Sequence, residues 1–516
     1  MIFTKDIKER LIKYNLNDYM FDVEHLGLDV TWDRICHFIK ENAESVPSFL
    51  DVNNFGELYE IGLAIQDKIL KKKSGQYYTP DDVAKVMSEW LYNCEGEAVC
   101  DVACGTGKLI LTYLDLIGYD NARELISRGN LYLYDNDDVA LKICKTIIFV
   151  KYGLDIANYI NTIHCDFLDR SISLPNNCKV ISNPPYAKIE NFPYSWEFTA
   201  VLDDTKEFYS AFMEKIFIQA KSTVIITPFS FISGNKFYSL RRTMSSLGRG
   251  FIVAFDNVPG NIFCGRKHGI FNTNTANSVR AAITVMTQDK KQKGFRVSPL
   301  IRFKNNEREK LLTKKTLELT LPSNYQIVDE TNDTFKKIDA NLNEIFCEWV
   351  TKSKYKVKDI IGNRKTEYLI DMPNTCRYFT TASSKKLNRA GSITMYLQNE
   401  DDFYFLYCFI NSSFAYWWWR VFDGGIVYPI GLLNTLPLPS NLLSDDDKTF
   451  FKKIAKELID MESSFIITKV NAGAAQENIK FPEKYRLIIN EKILSILGFK
   501  FENDIFRRVH ANGFFE

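Results

Sequence analysis

Between residues 99 and 226, short apolar runs alternate with longer segments of helical periodicity, and few folds tolerate that rhythm. Residues 99–102 read as a strand, CGTG as a turn and 108–117 as a helix. LYLY at 131–134 is a second strand, closed by Asp135, Asn136, Asp137 and Asp138 and followed by a helix over 139–152. Strands around 162–164, 180–181 and 223–226 follow, with a helix over 208–220 before the last. A parallel pair cannot be joined by a tight turn and needs a crossover, so strands spaced by helices predict an α/β chain with a doubly wound parallel sheet.

A chain of 516 residues is too long for one core, and roughly 100 to 200 residues per domain allows two to four domains. Residues 1–70 carry apolar positions at helical spacing (Leu11, Ile12, Leu16, Ile35, Phe38, Ile39, Leu63, Ile65, Leu70) and predict a small helical lobe. The doubly wound domain occupies 71–290. At about 290 the texture changes to KKQKGFRVSPLIRFKNNEREKLLTKK and the strand–helix rhythm stops, so a second domain of α+β type is expected over 291–440. Helices at 446–461 and 482–497 make 441–516 a C-terminal helical segment.

Charge and cysteine usage exclude several classes. With 65 Lys and Arg against 64 Asp and Glu, the whole chain advertises no polyanionic or polycationic partner. Eleven cysteines include no CxxC pair and no Cys/His cluster at zinc spacing, so reduced, mostly buried thiols and no metal are expected. The N-terminus MIFTKDIKERLIKYN lacks the apolar core of a secretion signal, which predicts a cytoplasmic protein. FYFLYCFINSSFAYWWW, residues 403–419, is interrupted by Asn411, Ser412 and Ser413 and is shorter than the roughly 20 residues of a membrane span. It reads as a buried helix.

The chemistry-bearing residues sit where the predicted strands end. In Asp101–Val102–Ala103–Cys104–Gly105–Thr106–Gly107, glycine permits a tight turn and close approach of a ligand to the backbone. Asp135, with Asn136 after it, ends the next strand where a carboxylate can accept from ribose hydroxyls, although a helix N-cap is the competing role. Asp166 and Phe167 follow the third strand, an acceptor beside an aromatic plane that suits adenine; Phe167 in the core is the competing reading. Leu109 and Ile110 replace the third glycine of a dinucleotide fingerprint, which favours a mononucleoside cofactor. The fourth strand ends in SNPPY. Two prolines remove two backbone donors and fix φ near −65°, so the chain must turn at a rigid corner. Asn183 offers a side-chain carbonyl there, and Pro184, held by Pro185, offers a backbone one. Two fixed acceptors suit the two hydrogens of an exocyclic amino group, and Tyr186 supplies a face for a planar base.

Taken together, these residues resemble the gamma class of adenine-N6 DNA methyltransferases of restriction-modification systems, which use S-adenosylmethionine. KSGQYYTP, with Tyr77, Tyr78, Thr79 and Pro80, is similar to the family segment that closes over the methionine portion of the cofactor. DVACGTG is similar to its first cofactor motif, and NPPY to its catalytic motif, in the family's order. The resemblance covers residues 70–290. It implies a Rossmann-like methyltransferase fold, with Asp101 meeting the methionine amino group. Ala103, Cys104, Gly105 and Gly107 form the cofactor loop, Asp135 and Asn136 serve the ribose, and Asp166 and Phe167 the adenine. Asn183, Pro184, Pro185 and Tyr186 are the expected catalytic set, with Asn183 also near the cofactor. Asn261–Ile262–Phe263 resembles a later motif whose aromatic holds an extruded base, which makes Phe263 and Tyr186 the base-contacting pair.

Ile410–Asn411–Ser412–Ser413, Tyr416–Trp417–Trp418–Trp419, Gly424–Gly425 and Leu436–Pro437–Leu438–Pro439 resemble the closing part of target-recognition domains, with the aromatics expected in the core. DNA contact is expected from the Lys/Arg-dense stretch and from Arg266, Lys267 and His268. The implied partners are double-stranded DNA and a separate restriction endonuclease, with the chain a monomer or homodimer. Competing readings are a methyltransferase of RNA or of a protein glutamine amide, a restriction enzyme that also methylates, and a DNA-binding module with a vestigial pocket. NPPY is shared by the first of these, whereas the long C-terminal half speaks against it.

Overall fold

The computed structural model of the protein describes residue 56 and residues 79–263, 279–471, 474–500 and 505–516. The expected N-terminal lobe, Tyr77, Tyr78 and Arg266, Lys267 and His268 lie outside the described residues. The chain divides into two compact units, Met1–Phe335 and Lys336–Glu516.

The first unit is built on an eight-stranded sheet in the order β3-β2-β1-β4-β5-β7-β6-β8. After helix α1 (Asp81–Tyr92) come β1 (Ala98–Val102), α2 (Lys108–Ile117), α3 (Tyr119–Ser127), β2 (Leu131–Asp135), α4 (Asp138–Tyr152) and β3 (Asn161–His164). Next are β4 (Cys178–Ser182), α5 (Phe208–Gln219), β5 (Ser222–Pro228), α6 (Tyr238–Leu247), β6 (Gly248–Phe255), β7 (Ala281–Gln288) and β8 (Gly294–Val297). Every residue of β1 and β4 is buried. Parallel strands buried on both faces read as mainly apolar runs, which is why AVCDV and CKVIS were visible in sequence despite Asp101 and Lys179. β1 pairs in parallel with both β2 and β4, so the chain winds outward in opposite directions from that pair. Ligands bind beyond the carboxyl ends of strands at such a switch point.

Strand β7 departs from the parallel pattern. It inserts between β5 and β6 and runs antiparallel to both. The unit also continues past the change of texture at residue 290, because Gly294–Val297 pairs in parallel with β6. Of the arginines in the basic stretch, Arg302 and Arg308 are buried and Arg296 lies 5.9 Å from the centre of the Phe251 ring. The expected DNA-contacting role is therefore corrected for Arg302 and Arg308, which are interior residues, whereas Lys290, Lys291, Lys293, Lys304, Lys310 and Lys315 of the same stretch are exposed.

The second unit has an aromatic core. Helix α7 (Asn343–Lys352) brings Phe346 and Trp349 against α8 (Glu400–Ile410) and α9 (Ser413–Phe422). The predicted helix over 403–419 is two helices, because the Ser412 hydroxyl caps α9 by accepting from Phe414 N at 3.1 Å while Asn411 Nδ2 donates back to Tyr407 O at 3.0 Å. The Trp349 ring stacks at 5.7 Å on Trp417 and meets Phe414 edge-on at 5.0 Å. Tyr416, Trp417, Trp418 and Trp419 are all buried. The C-terminal helices α10 (Asp445–Met461) and α11 (Glu483–Leu497) lie within a residue of the expected positions, with a hairpin of Ile466–Asn471 and Ala474–Ile479 between them. No helix among the described residues is long and apolar enough to cross a membrane. All nine described cysteines are free, and six are buried.

Candidate active site

The loop after β1 is shaped by backbone conformation. Ala103 (φ 59°), Gly105 (φ 53°) and Gly107 (φ 92°) all occupy the left-handed region. The two glycines serve different ends. A Cβ on Gly107 would sit 2.3 Å from Cys144 Sγ on α4, so that glycine allows close packing of loop on helix. A Cβ on Gly105 would meet nothing within 4 Å, so that glycine faces open space. Burial raises the thiol of Cys104, which is packed behind the loop, well above the ordinary cysteine range.

Asp101, at the fourth position of β1, is fully buried. Its Oδ2 accepts from Ile110 N at 3.1 Å, and its Oδ1 has no hydrogen-bond partner among the described residues. Burial pushes its carboxyl well above the usual carboxylate range, the Ile110 amide pulls it back, and nearby Asp135 pushes it further up. A buried acceptor without a donor is costly, and it fits a group whose cationic partner arrives with a ligand.

Asp135, at the end of β2, is half-buried and turned toward the glycine loop. Its Oδ2 accepts from Gly105 N at 2.7 Å and its Oδ1 from Asp137 N at 2.9 Å. Burial raises its pKa, and the amides of Gly105, Asp137 and Asn136 oppose the rise. The competing helix-capping role belongs to Asp137, whose Oδ1 accepts from Ala140 N at 3.0 Å. Asn136 is exposed, and its carbonyl oxygen lies 3.1 Å from His164 Nε2.

After β3 the expected pair separates. Asp166 is exposed and accepts from Leu168 N at 3.0 Å and from Trp196 Nε1 at 2.7 Å. Phe167 is 3% exposed and packed between Tyr134 and Phe212, with Lys215 Nζ 5.0 Å over its ring. The expectation that it stacks on an adenine is corrected, since its faces are covered by the core. Nothing in sequence marked Trp196, thirty positions away.

At the end of β4, Ser182 Oγ donates to Val102 O at 2.6 Å, which ties the SNPPY corner to β1. Asn183 Nδ2 donates to Thr79 Oγ1 at 3.0 Å, and Thr79 is itself buried just before α1. The amide nitrogen is thus committed and the carbonyl oxygen becomes the acceptor. The Tyr186 hydroxyl lies 2.6 Å from Asn183 Oδ1 and 3.0 Å from Ile226 O on β5. Pro184 is buried and Pro185 half-buried. The Tyr186 ring meets Phe263 edge-on at 5.9 Å and Tyr209 at 6.3 Å. Phe263 is buried, and its amide donates to Asn261 Oδ1 at 2.8 Å. The fold therefore brings Thr79, Asn183 with Tyr186, and Phe263 together from three separate stretches. Pro80 is buried at the N-cap of α1.

Strand order and loop geometry define a Rossmann-like α/β fold whose strand order reverses between β1 and β4, the place where doubly wound sheets bind ligands. The profile of the N-6 DNA Methylase family matches residues 50–367, and the chain belongs to that family. It is 22% identical over 330 residues to the methylase subunit of the type I restriction enzyme MpnII of Mycoplasma pneumoniae, covering 59% of this chain and 55% of that protein. It is 27% identical over 135 residues to the methylase subunit of the type I restriction enzyme MjaIX of Methanocaldococcus jannaschii, covering 26% and 22% respectively. The chain thus spans about half or less of these relatives' lengths. A cryo-EM structure of a DrdV–DNA complex aligns with 84% of this chain and 62% of that one, at 13% identity and a TM-score of 0.48.

Proposed function

We propose that this chain transfers a methyl group from S-adenosylmethionine to N6 of an adenine flipped out of duplex DNA, as the modification enzyme of a restriction-modification system. The observation that carries this reading is the bond from the Asn183 amide nitrogen to Thr79, which leaves the carbonyl oxygen as acceptor one strand away from the Asp101 carboxylate oxygen that has no partner among the described residues.

The residues fit the cofactor. Asp101 has an acceptor open for the ammonium of the methionine portion. Asp135 keeps lone pairs for ribose hydroxyls beyond those its two amide donors occupy. Gly105 leaves its approach clear, Ala103, Cys104 and Gly107 complete the loop, Asn136 stands beside Asp135 on the ribose side, and Asp166 is the remaining polar group toward the adenine. Thr79 and Pro80 belong to the segment to which the family resemblance gives the closing role. When bound, S-adenosylmethionine supplies an electrophilic methyl group.

The chain's own residues prepare the nucleophile. An adenine amino nitrogen is weak because its lone pair is conjugated with the ring. Asn183 Oδ1 and the Pro184 carbonyl, stiffened by Pro185, accept its two hydrogens and favour the geometry in which the lone pair faces the methyl group. This is electrostatic and positional stabilisation and needs no general base. Extrusion of the base costs a few kcal/mol, and stacking on Tyr186, backed by Phe263, returns about 1–3 kcal/mol. As the modification component, the chain leaves cleavage to a separate endonuclease.

Sequencing modified bases in DNA from cells expressing the chain tests this directly. N6-methyladenine in one sequence context is expected; unmodified adenine alongside normal cofactor binding would refute it.

A further inference from the structure

Arg308 belongs to the basic stretch by sequence, yet it is 2% exposed and opens the short helix Arg308–Leu311 inside the first unit. Its donors are committed in two directions. Nε and Nη2 meet the two carboxylate oxygens of Asp82, with Nη2 2.9 Å from Oδ1. Nη1 donates to Asn261 O at 2.8 Å and Nη2 to Ile262 O at 2.6 Å. Asp82 lies in the first turn of α1, three residues after the Thr79 that holds the Asn183 amide. Asn261 and Ile262 lead straight into Phe263, whose ring meets Tyr186. The turn is gripped from a second direction, because Gly260 N donates to Phe303 O at 2.8 Å and a Cβ on Gly260 would lie 2.6 Å from that oxygen.

We propose that Arg308 is a positioning residue of the transfer site: one planar guanidinium fixes the segment that orients the Asn183 acceptor relative to the turn that presents Phe263. The inference rests on the function proposed above. Arginine is required because its donors radiate from three nitrogens in one plane and span both partners, whereas a lysine ammonium is a single point that reaches one of them. The consequence is kinetic. Loss of the bridge leaves cofactor and DNA able to bind but misplaces acceptor and aromatic wall relative to the base.

The test compares Arg308→Lys and Arg308→Met with wild type, using methyl incorporation into unmethylated genomic DNA, cofactor titration, DNA binding against salt, and thermal unfolding. Both variants should lose about 10–100-fold in maximal rate, the cost of a misplacement near 1 Å, with cofactor Kd changed by less than about threefold. The slope of log affinity against log salt should match wild type, since no phosphate contact is removed. A fully active Arg308→Lys, or a slope smaller by about one, would make Arg308 a phosphate contact and overturn the proposal. Lower thermal stability with an unchanged maximal rate would overturn it as well. If neither variant folds, Asp82→Asn at a partly exposed carboxylate carries the test, with a loss of about 3–10-fold expected and an unchanged rate decisive against the bridge. A wild-type chain that binds cofactor but methylates no adenine sinks the functional reading and this proposal together; wild-type methylation with indifferent Arg308 variants sinks the proposal alone.

Discussion

Asp101 in the first unit and Glu462 in the second are both buried carboxylates, at 0% and 1% exposure, and their surroundings are opposite. Glu462 Oε1 accepts from Ser384 N at 2.6 Å and Tyr407 OH at 2.8 Å, and Oε2 from Ser383 Oγ at 3.0 Å and Ser384 Oγ at 3.2 Å. Asp101 has one amide donor and one oxygen with none among the described residues. A carboxylate that joins four donors locks two loops and a helix into one arrangement. A carboxylate left half-served costs the empty fold free energy, and that cost is recovered only when a ligand supplies the missing charge. The comparison sets a carboxylate satisfied by the fold against one the fold leaves half-satisfied, the pattern expected of the ligand-binding role proposed for Asp101, although burial alone would rank them equally.

The largest test is Glu462→Ala, which strands four donors, two of them on buried Ser383 and Tyr407, and should cost about 3 kcal/mol or more of stability, measured by denaturant unfolding, while cofactor affinity of the folded protein is unchanged. A parallel loss of cofactor affinity would break the distinction. Next is Asn183→Ala, which removes the acceptor itself and should lower the methylation rate by about 10²–10³-fold with cofactor Kd near normal. Retained activity there would overturn the two-acceptor mechanism.

Asp101→Asn should weaken S-adenosylmethionine by about 10–100-fold, the worth of a charge-assisted contact, without loss of stability. The pH dependence sharpens this. Because burial raises the Asp101 pKa in the free protein, the group is more often protonated there than in the unfolded chain. Stability from this group is therefore fullest at low pH and falls as pH rises through the raised value. Cofactor affinity runs the opposite way: an ammonium pairs only with the ionised carboxyl, so affinity should climb as pH rises through that value and binding should release a proton, seen as buffer-dependent heat in calorimetry. Asp101→Asn should abolish that dependence. The smallest effect is expected from Tyr186→Phe, which keeps the ring and removes the hydroxyl near Asn183 Oδ1 and Ile226 O. A few-fold lower rate with unchanged DNA affinity is expected, because one hydrogen bond is worth about 1 kcal/mol; a loss as large as that of Asn183→Ala would mean that the hydroxyl, not the ring, is the essential part.

Much of this was legible along the chain, and unevenly so. Strands β1, β2 and β4 and helices α2, α4 and α5 appeared near their final bounds, because a strand buried on both faces and an amphipathic helix each leave a short-range signature. Strand β7 gave no such cue to its place. It sits antiparallel between β5 and β6, although β6 precedes it directly, and that order depends on distant partners. The site divided in the same way. Asp101, Gly105, Gly107, Asp135 and Asn183 could be singled out because turns and strand ends are local events. Phe167 could not be told from a stacking residue, since only packing reveals that Tyr134 and Phe212 cover it.

What the amino-acid order determined by itself was the alternation of elements and the chemical types at the strand ends, both set by propensities acting over a few residues. Only the tertiary structure decided which carboxylate oxygen stays unpaired and which amide atom of Asn183 is held by Thr79, 104 positions away. It alone turned Arg308 from a presumed DNA contact into a bridge to Asp82 across 226 positions. Hydrogen-bond partners and burial follow distance in space, and the spacing of residues along a chain does not report that distance once the chain has folded back on itself.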